Sequence, residues 1–75
     1  MTEDERIIMI IRAFFNNNSN AYKMLESNNI RVRTEGFRRF LIIKKLSTSV
    51  REFLDENKYW VKETYRGHFE ITRLS

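Results

Sequence analysis

The residues most able to do chemistry in this sequence are basic side chains concentrated in its middle. Segment 31–46 contains six of them against a single acid, Glu35, which gives this stretch a net charge of +5. The rest of the chain has eight basic and nine acidic residues, so all of the excess positive charge lies in the segment. Such a run is either a solvated surface or a contact surface for a polyanion. The six are Arg31, Arg33, Arg38, Arg39, Lys44 and Lys45.

Catalytic and metal-binding chemistry has little support among the other residues. The sequence contains no Cys, which excludes disulfides and thiolate metal sites, and its one His excludes a multi-histidine metal site. That residue, His68, has no second His, Cys or paired Asp–Ser arrangement nearby, and the chain has no glycine-rich phosphate loop. We therefore expect neither enzymatic activity nor a bound metal ion or cofactor.

The chain is long enough for one small domain, spanning residues 1–75. Its composition of 41% hydrophobic and 13% aromatic residues is sufficient for a core. The lack of disulfides and the acidic N-terminus favour a cytoplasmic protein, since a signal peptide begins with basic residues. The longest apolar run, Ile7 to Ile11, is too short to span a bilayer.

The first half of the chain predicts two helices and a short strand. Thr2 to Glu5 has the form of a capping box, which predicts a helix from about residue 3 to residue 15. A second, short helix is expected after Asn18 or Ser19, ending at Asn28-Asn29 because Asn tolerates the left-handed conformation. The alternating sequence of residues 30–33 then predicts a strand.

The central region predicts two further helices separated by a short turn. Thr34 is expected to cap a helix that runs to about Leu46. After a hydroxyl-rich break, Ser49 to Glu52 forms a second capping box, and an apolar stripe through Val50, Phe53 and Leu54 follows it. Two helices joined in this way are a candidate helix-turn-helix.

The C-terminal region predicts a β-hairpin centred on Gly67. A three-residue loop, residues 65–67, pairs Val61 with Ile71 and Lys62 with Glu70, whereas a two-residue loop opposes two glutamates. We therefore predict the three-residue loop. The aromatic residues that open the hairpin, Tyr59 and Trp60, have rings on which bases could stack, but aromatic residues in this position are more often buried, so we expect both in the core.

This order of elements resembles the winged helix-turn-helix family. The best local match is Ser47 to Leu74, where a recognition helix leads into a hairpin wing, while residues 30–33 match the family's first strand and residues 36–46 its second helix. The resemblance implies an α+β fold of winged helix-turn-helix type with a short extra helix after the first. Many members carry Gly between recognition helix and wing, where this chain has Asn57-Lys58, so one of these residues must end the helix.

The resemblance also implies binding to double-stranded DNA, with the recognition helix in the major groove and the wing on the backbone or minor groove. Against it, three carboxylates on the same helix would repel phosphate, and Arg51 and Asp55 are spaced to pair with each other. Carried over by position, the expected DNA contacts are Ser47, Thr48, Ser49, Arg51, Asp55 and Lys58 on or after the recognition helix, and Arg66 at the wing tip. The charge of the basic segment adds Arg38, Arg39, Lys44 and Lys45 as expected contacts, although these four do not fall on one face of a helical wheel.

Two functions therefore remain open. One is a small winged-helix DNA-binding protein, such as a transcriptional regulator. The other is a winged-helix protein–protein interaction module, an adaptor or inhibitor that docks on a larger nucleic-acid machine. Because the first helix and residues 37–46 are apolar over most of their circumference, we also expect a homodimer through the first helix, which would match paired DNA half-sites.

Overall fold

The computed structural model describes residues 1–64 and 67–73, and within them it shows an α+β arrangement of three helices and a four-stranded antiparallel sheet. The strand order is β1-β2-β4-β3, so β2 and β4 are central. No helix within these ranges is long and apolar enough to cross a membrane. The elements are α1 (Glu3–Phe15), α2 (Ala21–Ser27), β1 (Arg31–Glu35), β2 (Arg38–Ile43), α3 (Thr48–Glu56), β3 (Tyr59–Glu63) and β4 (Phe69–Arg73).

Side-chain hydrogen bonds at the N-caps define where α1 and α3 begin. The Glu5 N–H donates to the Thr2 hydroxyl at 3.1 Å, and the Thr2 N–H donates to the Glu5 carboxylate at 3.3 Å, which confirms the first capping box. In α3 the Val50 N–H donates to the hydroxyl of Ser47 at 3.3 Å. Ser47 is therefore the N-cap, two residues before the predicted Ser49. The short helix after α1 is also confirmed, as α2.

The predicted helix from Thr34 to Leu46 is wrong, because this segment forms the hairpin of β1 and β2. Glu35 pairs with Arg38 across a two-residue turn of Gly36 and Phe37. Gly36 has a φ of +61° and Phe37 does not have a positive φ, which is the pattern of a type II′ turn. A continuous apolar run such as residues 40–43 suits either a buried helix or a strand covered on both faces, so periodicity does not distinguish them.

The predicted helix-turn-helix is wrong for the same reason. Strand β2, rather than a helix, precedes α3, and the two are joined through residues 44–47. The coarser prediction, an α+β domain that ends in a β-hairpin, is confirmed. Residues 38–45, which were expected on a supporting helix, therefore lie on a strand and on the connection that follows it.

The C-terminal hairpin has the predicted register. Val61 pairs with Ile71 and Lys62 with Glu70. Gly67 has a φ of +74°, as the left-handed position of the loop requires, and the Thr64 N–H donates to the His68 carbonyl at 2.6 Å. The other two residues of this loop, Tyr65 and Arg66, lie outside the described residues.

The core lies between the three helices and one face of the sheet. A row of apolar side chains crosses all four strands on this face: Val32, Leu41, Ile71 and Val61, in spatial order. The row packs in one cluster with the buried residues of α1, which are Ile10, Ile11 and Phe14, and with Val50, Phe53 and Leu54 of α3.

Helix α1 is the central helix of this layer. Its apolar side chains all belong to the described part of the chain, and of these only Met9 is classed as exposed. One premise for the homodimer, an apolar second helix over residues 37–46, is replaced by a strand. The homodimer through α1 stays a prediction.

Lys58 follows the C-cap of α3 and has a φ of +60°, a conformation that strains any residue with a Cβ. We expect Lys58→Gly to raise the free energy of unfolding by about 0.5–1 kcal/mol, because Gly avoids the strain but gains freedom in the unfolded chain. Urea denaturation measures the change. The control is Lys45→Gly, at an exposed lysine without a positive φ, which should not stabilise. Equal effects of the two substitutions would contradict the strain at Lys58.

Candidate nucleic-acid interface

The helices and the sheet of this domain carry opposite net charges. The three helices contain four basic and seven acidic residues, a net charge of −3. The four strands contain six basic and three acidic residues, and the described connections between elements add three more basic residues and no acid. Among the described residues, the excess positive charge therefore lies entirely on the sheet and its connections.

The strand register assigns the charged strand residues to one face or the other. Since neighbouring strand residues point to opposite faces, the residues next to the buried row point away from the helices. We call this surface the open face. It carries four basic and two acidic side chains around an apolar centre. Its members are Arg31, Arg33 and Glu35 of β1, Arg38, Phe40 and Ile42 of β2, Glu70 and Thr72 of β4, and Trp60 and Lys62 of β3.

Arg33 is held in a fixed orientation on the open face. Its Nε and Nη2 donate to the two carboxylate oxygens of Glu70 at 3.2 and 3.0 Å, and its Nη1 donates to Glu35 at 2.9 Å. The guanidinium carbon lies 4.2 Å from the centre of the Phe40 ring. A bidentate carboxylate pair combined with an aromatic contact fixes the plane of the guanidinium.

The hydrogen bonds of Arg33 also shift the pKa values of Arg33 and Glu35. The hydrogen bond from Arg33 lowers the pKa of the Glu35 carboxyl below its ordinary value of 4.5, and the charges of Arg33 and Arg38 act in the same direction. The hydrogen bonds to Glu35 and Glu70 in turn raise the pKa of the Arg33 guanidinium. Arg33 and Glu35 are therefore both charged at neutral pH.

Four other cations near the open face are exposed and take part in none of the ion pairs formed by the described residues. Lys62 lies opposite Glu70 as predicted, but the Glu70 carboxylate pairs with Arg33 on its other side. Lys44 lies just beyond β2, where it borders a small hollow of about 150 Å³ together with Arg31, Ile42 and Glu70. The four cations are Arg31, Arg38, Lys44 and Lys62.

The basic residues expected to contact DNA are divided between the two sides of the sheet. Arg38 points to the open face, whereas Arg39 points to the helices, where its Nη2 donates to the Asn17 side chain at 2.7 Å. The Arg39 guanidinium also lies 4.6 Å from the Phe14 ring centre. Lys45 is exposed in the β2–α3 connection, on the rim of an open cleft of about 730 Å³.

The expected recognition helix, α3, has an acidic exposed surface. The Arg51 Nε lies 3.6 Å from an Asp55 carboxylate oxygen, so the predicted i,i+4 pair forms. With Glu52 and Glu56 also exposed, α3 has one basic and three acidic residues. The other expected contacts are placed as follows: Ser47 is the N-cap, Thr48 and Ser49 are exposed in the first turn, Lys58 is exposed after the helix, and Arg66 lies outside the described residues.

Sequence reasoning assigned the aromatic part of the open face to the wrong side of the sheet. Trp60 was expected in the core, and this is wrong, because its side chain points to the open face and the residue is 41% exposed. Its neighbour Tyr59 does belong to the core side, with its ring centre 5.4 Å from that of Phe15 and 5.7 Å from that of Phe53. The alternation of Tyr59, Trp60 and Val61 contained this signal, since only every second residue of a strand faces the core.

No family model, curated protein or solved structure matches this chain. Among residues 1–64 and 67–73, no group of three or more His, Asp or Glu side chains is arranged to hold a metal ion.

The lowered pKa of Glu35 predicts a pH dependence of stability. The stabilisation from this carboxylate is present above the unfolded pKa of about 4.5 and is lost as the pH falls through the lower folded value. Glu35→Gln should therefore lower the melting temperature at pH 7, and its difference from wild type should shrink in acid. Thermal unfolding followed by circular dichroism measures this difference. Glu63→Gln, at an exposed strand glutamate, is the control, and a Glu35→Gln difference that does not change with pH would contradict the assignment.

Proposed function

We propose that this protein binds nucleic acid through the open face of its sheet. The observation that carries the proposal is the separation of charge, with a net charge of −3 on the helices and all excess positive charge of the described residues on the sheet and its connections. Four exposed cations near this face, Arg31, Arg38, Lys44 and Lys62, are available for phosphate oxygens. Phosphate contacts of this kind release condensed counterions and bind with little dependence on sequence.

Binding through the open face replaces the mode that the family resemblance implied. Helix α3 presents three carboxylates against Arg51, so its approach to a phosphate backbone is electrostatically unfavourable. The unit formed by α3 and the β3–β4 hairpin still supports a winged-helix-like assignment of the fold. In this assignment, the β1–β2 hairpin replaces the helix that precedes the recognition helix. Transcription regulation, a cytoplasmic location and a homodimer remain predictions.

The second candidate function is a protein–protein interaction module. The acidic surface of α3 favours it, because Glu52 and Glu56 are exposed and suited to a basic partner. Phe37, fully exposed at the β1–β2 turn, is an apolar side chain that a partner pocket would cover. This candidate predicts that substitutions on α3, rather than on the open face, weaken binding to the protein partner.

Charge reversal on the two sides of the domain tests the proposed function. Binding to a labelled random duplex is measured by fluorescence anisotropy at several salt concentrations. Arg31→Glu and Lys44→Glu should each weaken binding and reduce the slope of log K against log salt by about one, the value for one phosphate contact. The matched control is Lys23→Glu, an equal change of charge at an exposed residue of α2.

The outcomes separate the two candidate functions. A Lys23→Glu loss as large as that of Arg31→Glu would mean that only net charge matters, and would contradict a defined interface. Arg51→Glu should leave binding almost unchanged, and a large loss there would restore α3 as the contact. An absence of binding even at low salt would exclude the nucleic-acid function for the isolated protein and would favour the interaction module.

A further inference from the structure

We infer that the open face selects single-stranded nucleic acid, whose unpaired bases stack on Trp60 and on the Arg33 guanidinium. The inference rests on the proposed function, to which it adds the form of the ligand. It follows from three features of the open face: how Arg33 is held, where Trp60 lies, and how wide the sheet is.

Arg33 is arranged to act through its plane rather than through its N–H groups. Its Nε, Nη1 and Nη2 already donate to Glu70 and Glu35, and these two carboxylates more than balance its single positive charge. Three of the five N–H groups of the guanidinium are thus occupied, and the adjacent carboxylates repel a phosphate that approaches the other two. The ring of Phe40 supports the guanidinium from one side at 4.2 Å, while the Arg33 side chain remains 39% exposed. A supported, exposed guanidinium plane is a stacking surface for a base.

Trp60 supplies a second stacking surface in the same row of the sheet. Arg33 pairs with Phe40, and Trp60 pairs with Thr72, which follows Phe40 in spatial order. The Thr72 hydroxyl of β4 donates to the Arg39 carbonyl of β2 at 2.8 Å, which adds a side-chain hydrogen bond between the two central strands of this row. Because neighbouring β-strands lie about 4.8 Å apart, the backbones at Arg33 and Trp60 are about 14 Å apart. One base cannot contact both side chains at this distance, but two or more successive bases of a single-stranded nucleic acid can.

The width of the sheet argues against entry into a duplex groove. Its four strands span about 14 Å between the outer backbones, before side chains are counted, whereas the major groove of B-DNA is about 12 Å wide. A duplex therefore meets the open face only with its phosphates, and its stacked, paired bases do not reach Trp60 or Arg33. Unpaired bases reach both residues, while Arg31, Arg38 and Lys62 lie beside them for the phosphates.

Fluorescence of the single tryptophan tests the inference directly. Trp60 is the one Trp of the chain, and stacking of a base on its ring should quench its emission. We expect oligo(dT) and oligo(U) of about 15 nucleotides, a length within the usual site sizes, to quench and to bind more tightly than a duplex of equal length. An abasic strand of the same length keeps the phosphates, so it should bind with salt dependence but without quenching.

Substitution of Trp60 separates stacking from charge. Trp60→Ala should weaken binding of the single strand about 5- to 150-fold, as expected for the loss of one stacked base, and should leave duplex binding nearly unchanged. Trp60→Phe retains a ring and should recover most of the affinity. The matched control is Tyr22→Ala, at an exposed aromatic residue of α2 on the opposite side of the domain, which should have no effect.

The outcomes distinguish this inference from the proposed function. Equal, salt-dependent affinities for duplex, abasic and single strands without quenching would overturn the selection of unpaired bases and leave the proposed function intact. Equal losses for Trp60→Ala with duplex and single strand would overturn it as well. Failure of all three ligands to bind at low salt would overturn both. Quenching by oligo(U) but not by oligo(dT) would support stacking and assign the ligand as RNA.

Discussion

The rest of the structure depends on the burial of β2 on both of its faces. Leu41 and Ile43 of this strand pack into the core beneath the helices, while Phe40 is only 6% exposed although it points to the open face. A strand with apolar side chains on both faces is stable only when it is paired on both edges and covered above and below. Pairing with β1 and β4 satisfies the edges, and the helices and Arg33 provide the cover.

The position of β2 determines how the charges of the domain are arranged. Its basic residues are divided by the pleat, so that Arg38 joins Arg31 and Arg33 of β1 on the open face while Arg39 packs against α1. The acidic residues of α1 have a structural role, because its first turn places Glu3 and Asp4 near the positive end of the helix dipole. Much of the charge separation therefore follows from the fold, and a basic, partly aromatic sheet surface is its consequence.

The sequence predicted those elements whose signals are local. The capping box at Thr2, the stop near Asn29 and the register of the C-terminal hairpin each depend on residues within a few positions, and all three are found. Residues 34–46 were assigned wrongly, because a run of apolar residues has neither the period of a helix nor that of a half-exposed strand. Gly36 marked the turn of the β1–β2 hairpin, but an isolated Gly near the start of a helix is also tolerated.

By itself the sequence determined the class of the fold, the C-terminal register and the concentration of positive charge in segment 31–46. Only the tertiary structure decided which side chains share a surface. Arg33 and Glu70 are separated by 37 positions, and Trp60 lies in the same row of the sheet as Arg33 only because β4 pairs with both β2 and β3. The order of the strands depends on which combination of pairings buries the most apolar surface. That burial depends on contacts between residues far apart in the sequence, so no local sequence pattern predicts it.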